Sequence, residues 1–169
     1  MQILLKRFFP KMFVEKVQDI DLNGLAAKGI KGLILDIDNT LVASHVKYAD
    51  ENVIKWIKTV QDFGFKACIV SNASKTRVVL FNEKLKLFAI HRASKPGTRA
   101  FLKAASHMGL NPPEIAVVGD QIFTDVYGAN RAGMYSILTT PIHPEEFFLV
   151  KFKRIFEKYI LNLYKKTNR

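Results

Sequence analysis

The sequence predicts an α/β fold, a Rossmann-like parallel sheet of five strands flanked by helices. Three observations carry this expectation. The runs Leu33-Ile34-Leu35, Cys68-Ile69-Val70 and Ala116-Val117-Val118 are apolar at every position rather than at alternate ones, as parallel strands covered on both faces require. Segments of helical period separate these runs, and repeated alternation of strand and helix dictates right-handed crossovers between parallel neighbours. A chain of 169 residues has the length of one domain with a core of its own. The expected organisation is therefore a single domain over 1–169 with no inserted cap.

In chain order, the strands are expected at 32–36, 66–70, 88–92, 115–119 and 135–139, and the helices at about 51–63, 75–85, 97–109, 124–132 and 145–166. Asp50 and Ser74 stand where a side-chain oxygen would cap the first two helices. Gly64 and Gly109 stand where those around 51–63 and 97–109 should stop. Trp56 falls on the core side of the first helix. Cys68, inside an apolar run, reads as a small buried hydrophobe. As the single cysteine it can form no intramolecular disulfide and no thiolate zinc site, so a reducing compartment is expected.

Nearly half of the residues are hydrophobic and about a quarter are charged, which excludes a disordered chain. No run approaches the roughly 18 apolar residues of a membrane span. Charge interrupts the N-terminal residues too early for a secretory signal, so the expected location is cytoplasmic. The net charge of +11 is concentrated at the ends. Lys6, Arg7, Lys11 and Lys16 face only Glu15 in the first sixteen residues, while Lys151, Lys153, Arg154, Lys158, Lys165, Lys166 and Arg169 face only Glu157 after residue 147. Such ends suit a polyanionic partner: a phosphorylated substrate, an anionic lipid surface or nucleic acid.

In open α/β sheets ligands bind beyond the carboxyl ends of the strands. The first strand ends in Asp36-Ile37-Asp38-Asn39-Thr40, the second in Ser71-Asn72, and the fourth in Gly119-Asp120 with Asp125 following. Lys95 comes after the third, in Ser94-Lys95-Pro96-Gly97. Acidic groups, a hydroxyl and a cation would thus converge on one rim. Phosphoryl transfer needs such a set: a nucleophile, a proton donor, a divalent cation, and positive groups around the phosphoryl oxygens. Carboxylates this close repel unless a cation or shared proton relieves them. Hard oxygen ligands without a cysteine or histidine cluster favour Mg²⁺. Gly119 removes a side chain where Asp120 must reach the metal, and Asp125 adds a carboxylate one helical turn onward.

The ordered set Asp-x-Asp-x-Thr, Ser, Lys and Gly-Asp-x-x-x-x-Asp resembles the haloacid-dehalogenase-like (HAD) superfamily of aspartate-nucleophile phosphatases. A closer resemblance, over nearly the whole chain, is to the YqeG-type subfamily of class IIIA. It rests on Leu4-Leu5-Lys6-Arg7-Phe8-Phe9-Pro10, on Asp36 to Val42, on Val70-Ser71-Asn72 and on Gly119 to Val126. The resemblance implies that Asp36 attacks phosphorus and forms an aspartyl-phosphate, and that Asp38 protonates the leaving oxygen and then activates water. It implies Mg²⁺ bound by Asp36, Asp120 and the Asp38 backbone carbonyl, with Asp125 supporting the metal directly or through water. Ser71, Asn72 and Lys95 would bind the phosphate, Ser71 and Lys95 holding its phosphoryl oxygens. Asn72 and Thr40 also suit turns, and His45 follows the first motif closely enough to touch substrate.

One helix and one strand fill each gap between motifs, so little remains for a lid and a bulky substrate could enter. The subfamily includes phosphatidylglycerophosphate phosphatases, which points to that lipid headgroup. On a helical wheel Phe148, Leu149, Phe152, Ile155, Phe156, Tyr159, Ile160 and Leu163 share one face of 145–166. Such a basic amphipathic helix either binds a membrane interface, here the inner face, or packs on the domain. The same applies to the aromatic, basic segment over 1–20. The competing expectations are a soluble phosphatase of a sugar phosphate or nucleotide, and, third, a nucleic-acid-associated protein with a vestigial site. The last ranks lowest because aromatics and lysines segregate by helical face and form no recognisable RNA-binding motif.

Overall fold

A computed structural model of the protein describes residues 5–143 and 157–164. Its strands are β1 (Met12–Val14), β2 (Gly32–Leu35), β3 (Lys66–Val70), β4 (Phe88–Ile90), β5 (Ile115–Gly119) and β6 (Tyr135–Thr139). They form one parallel sheet in the order β1-β6-β5-β2-β3-β4. The parallel α/β architecture expected from the sequence is present, with a sixth strand added at one edge. A three-residue strand is too short to show a period. β1 owes its identity to pairing with β6, Met12 against Ile137 and Val14 against Thr139.

The helices are α1 (Leu22–Ala27), α2 (Glu51–Asp62), α3 (Lys75–Asn82), α4 (Arg99–Met108), α5 (Tyr127–Arg131) and α6, residues 157–164. Asp50 and Ser74 cap α2 and α3 as expected, accepting from the backbone N–H of Val53 and Arg77. Gly109 ends α4 in the left-handed conformation at φ 63°, which a residue without Cβ adopts freely. α1 was missed because it is short and contains Gly24. Asp21 starts it by accepting a bond from the Gly24 N–H at 3.0 Å.

Strand alternation divides the core into two layers. Leu33, Leu35, Ile69, Ala116 and Val118 face Val53, Trp56, Ile57 and Val60 of α2 and Phe81 of α3. Ile34, Cys68, Val70, Ile115 and Val117 face Phe101, Ala104 and Met108 of α4. Every residue of β2 is buried, which explains its continuous apolar run. Chain order sends β3 and β4 to one side of β2, and β5, β6 and β1 to the other. The crevice between β2 and β5 is therefore the switch point where a ligand site is expected.

Two segments depart from the expected helices. The stretch expected at 124–132 begins as a wider π-helical turn, Ile122–Val126, before α5, and single π turns often mark functional sites. The helix expected at 145–166 lies largely outside the described residues. In 157–164, Glu157 and Ile160 are buried while Tyr159 is 63% exposed, so Tyr159 is not on the packed side. Ile160 joins Ile122, Val126 and Leu138, with Phe8, Phe9, Phe123 and Leu161 around them. Phe8 stacks on Tyr127 at 4.4 Å, and Phe9 meets Tyr164 at 5.7 Å. Phe8 and Phe9 from one end and Ile160, Leu161 and Tyr164 from the other thus pack on the domain, while Tyr159 and Phe13 remain exposed.

Candidate active site

β2 delivers Asp36 to the crevice as a continuation of the ladder, with its N–H donating to Val118 at 3.0 Å. The chain then closes on itself. The Ile37 carbonyl accepts from the N–H groups of Thr40, Leu41 and Val42 at 3.2, 2.9 and 3.3 Å. Asn39 turns the backbone through the left-handed region at φ 61°, which asparagine tolerates better than most residues. This turn takes Asp38 out of the strand line and leaves it half-buried, while Asp36 is buried.

β5 delivers Asp120, and the π turn delivers Asp125. Carboxylate oxygens of Asp36, Asp120 and Asp125 lie within 4.8 Å of one another, all three residues buried. Lys95, also buried, places Nζ 2.9 Å from Asp36 Oδ1 and 2.6 Å from Asp125 Oδ1. One ammonium among three carboxylates leaves two surplus negative charges out of water, a charge that a divalent cation cancels. Hard, purely carboxylate donors of this kind fit Mg²⁺.

The titration behaviour follows from this crowding. Burial pushes the Asp125 carboxyl up to about 6, opposed by Lys95 and reinforced by Asp36. Burial disfavours the Lys95 ammonium, yet Asp125 and Asp36 outweigh it and hold its pKa above the ordinary lysine value. Asp38 is raised by burial against the pull of Arg77, with Asp36 adding to the rise.

The remaining expected residues stand around this cluster. Ser71 is buried at the end of β3. Its N–H donates to Ile90 at 2.9 Å, and its Oγ accepts from the Ala73 N–H at 3.2 Å. Asn72 uses its amide on the backbone of Lys95, accepting from the N–H at 2.8 Å and donating to the carbonyl at 3.2 Å. It thereby holds the lysine loop in place. His45 is exposed and lies edge-on to His143, their rings 5.3 Å apart.

Thr40, read as a turn former, also donates from Oγ1 to Asp120 Oδ1 at 3.2 Å. The reason for Gly119 also changes. A Cβ there would overlap the Asp125 carboxylate, so glycine makes room for Asp125 rather than for Asp120.

Two contributors went unnoticed in the sequence. Arg77 in α3 donates to Asp38 Oδ1 from Nε and Nη2. Its signal was a cation in the first turn of a helix, where the dipole disfavours one. Glu157 accepts at Oε1 from the Ile122 N–H at 2.8 Å and the Phe123 N–H at 3.4 Å. It holds the start of the π turn that carries Asp125. Its only signal was its place as the one acidic residue in a basic segment.

A family model described as mitochondrial PGP phosphatase matches residues 2–143. The chain is 38% identical over 164 residues to "Probable phosphatase YqeG" of Bacillus subtilis (strain 168), covering 96% of this chain and 95% of that protein. It is 31% identical over 166 residues to "Phosphatidylglycerophosphate phosphatase 1, chloroplastic/mitochondrial" of Arabidopsis thaliana, covering 90% of this chain and 47% of that one. It therefore spans about half of the plant relative's length. Among solved structures, a HAD-superfamily hydrolase from Ehrlichia chaffeensis aligns with a TM-score of 0.55 at 16% identity over 80% of this chain and 98% of that one. That likeness is one of fold.

Proposed function

This chain belongs to the PGP phosphatase family, and on that premise we propose that it is an Mg²⁺-dependent phosphatase of phosphatidylglycerophosphate working through an aspartyl-phosphate on Asp36. The observation that carries the reading is the buried cluster of Asp36, Asp120 and Asp125 around Lys95. Its surplus charge calls for a divalent cation, and its place at the β2 and β5 ends suits in-line attack on a phosphoryl group.

Asp36 and Asp120, with the Asp38 backbone carbonyl, would hold Mg²⁺, and Asp125 would support it directly or through water. When bound, the cation neutralises phosphoryl oxygens and lets an anionic nucleophile approach an anionic substrate. Asp36 then attacks phosphorus, and Asp38 protonates the departing alcohol oxygen. The raised pKa of Asp38 favours the acid form that this step needs. Ser71 and Lys95 orient the phosphoryl oxygens, and Asn72 keeps Lys95 in register. In the second half, Asp38 takes a proton from the water that hydrolyses the aspartyl-phosphate.

Contact with an anionic bilayer is part of the same reading. Lys6, Arg7 and Lys11 are exposed around an open groove of about 650 Å³ with Phe9, Pro10, Tyr135 and Tyr164. The groove lies at the amino ends of β1 and β6, at the opposite end of the sheet from the carboxylates, so it is separate from the site. Flotation with phosphatidylglycerol vesicles tests this, and no binding at low salt refutes it.

The activity is tested by phosphate release from phosphatidylglycerophosphate with Mg²⁺ and with EDTA, beside Asp36→Asn. Release by the wild type with Mg²⁺ alone, and none by the variant, is expected. Equal release by both proteins overturns the nucleophile assignment. Faster release from sugar phosphates or nucleotides overturns the lipid substrate.

A further inference from the structure

Arg77 commits three nitrogens to the loop that follows β2. Nε and Nη2 both donate to Asp38 Oδ1, at 3.1 and 2.9 Å, and Nη1 donates to the Lys47 carbonyl at 3.0 Å. The guanidinium also lies 5.4 Å from the centre of the Phe81 ring. The side chain is thus held by the loop on one side and by its own helix on the other, with only 16% of it exposed. Both bonds to Asp38 converge on a single oxygen. Among the described residues no group donates to Oδ2.

An oxygen that already accepts two N–H bonds is a poor place for a proton, because the added hydrogen would face the two donors. In the acid form of Asp38 the proton is therefore left to Oδ2. We infer that Arg77 is a positioning residue for the proton transfer: it keeps Oδ1 as the acceptor, leaves the proton on Oδ2, and holds Oδ2 toward the leaving oxygen. The inference rests on the phosphatase reading above and adds to it a residue that neither touches phosphorus nor moves a proton itself.

The steps balance as follows. An Asp36 oxygen bonds to phosphorus, the bond from phosphorus to the alcohol oxygen breaks, and the Oδ2 proton goes to that oxygen. Free alcohol leaves, and Asp38 becomes a carboxylate. Water then attacks phosphorus, its proton goes to Oδ2, the bond to Asp36 breaks, and inorganic phosphate is released with Asp38 again an acid. Loss of Arg77 frees the carboxyl to rotate, so the proton is misplaced in the first step.

The test uses two substrates with Mg²⁺ and the whole chain. Phosphatidylglycerophosphate in detergent micelles has a leaving group that must be protonated, whereas p-nitrophenyl phosphate has one that leaves as an anion. Arg77→Gln should lower kcat/KM, which reports the steps up to release of the alcohol and not the shared second half, about tenfold or more for the alkyl ester and less than about threefold for the aryl ester, a fraction of what general acid catalysis supplies. Arg77→Lys, able to make one bond in place of the fork, should shift the ratio in the same direction by less. Adding Arg77→Gln to Asp38→Ala should cost nothing further on the alkyl ester.

Equal losses of kcat/KM on the two substrates, the result for a substrate ligand, overturn the inference. If thermal melts show that Arg77→Gln is unfolded, the lysine variant decides: a wild-type substrate ratio there overturns it. Wild type that hydrolyses neither ester overturns the phosphatase reading and this inference with it.

Discussion

The Lys95 ammonium stands 2.6 Å from the Asp125 carboxylate with both side chains almost entirely out of water, 2% and 1% exposed. A buried charge whose partner is removed is costly, about 3–5 kcal/mol. Lys95→Met should therefore destabilise the EDTA-treated protein by roughly that amount. Mg²⁺ should restore more stability to the variant than it adds to the wild type, because the cation takes over part of the missing charge. Thermal melts with and without Mg²⁺ measure both effects. A variant as stable as wild type in EDTA contradicts the pairing.

The raised Asp125 carboxyl makes the stability of the metal-free protein depend on pH. Its pKa is about 6 when folded, against an ordinary value of 3.8. Between these values the folded protein holds a proton that the unfolded chain has released, so stability falls as pH rises from about 4 to about 6 and levels off above. Asp125→Asn should remove this part of the slope. Denaturant titrations of both proteins in EDTA across that window isolate the contribution as the difference between the two curves.

Gly119→Ala should impair the site without changing any functional group. The added methyl overlaps the Asp125 carboxylate, and overpacking typically costs about 1–3 kcal/mol. Displacing Asp125 and the Asp120 backbone should also lower kcat, by on the order of a hundredfold for an ångström of misplacement. Comparing kcat with melting temperature separates the two effects. Unchanged turnover would show that Asp125 has room to move.

Glu157→Ala should loosen the turn that carries Asp125 from a distance. It removes the acceptor of the buried Ile122 N–H and of its neighbour on Phe123, at a cost of about 1–3 kcal/mol for an unsatisfied group. Glu157→Gln retains an acceptor and should be milder. Amide exchange at Ile122 and Phe123 should quicken in the alanine variant. Exchange at wild-type rates would mean that the turn holds without the Glu157 carboxylate.

Much of the site was legible because the relevant signals are local. An apolar run covered on both faces is visible in the residues themselves, and so is the acid or serine that ends it. That sufficed to place Asp36, Asp38, Ser71 and Asp120 at strand ends, and Lys95 in the loop beyond β4. What stayed hidden depends on residues far apart in the chain. β1 exists as a strand because β6 pairs with it, Arg77 meets Asp38 because α3 follows the strand beside β2, and Glu157 reaches Ile122 from beyond the last strand. The role of Gly119 was misread for the same reason, since its missing side chain is filled by Asp125 across the turn.

The sequence by itself determined the layered parallel sheet and the set of groups brought to its carboxyl edge, because hydrophobic period and strand polarity are properties of short stretches. Only the tertiary structure decided how those groups compensate one another. The single lysine between Asp36 and Asp125, the arginine on one oxygen of Asp38 and the threonine on Asp120 are set by distances of a few ångströms between separate elements. Electrostatic and hydrogen-bond energies depend on those distances and on burial, neither of which is carried by the order of residues alone.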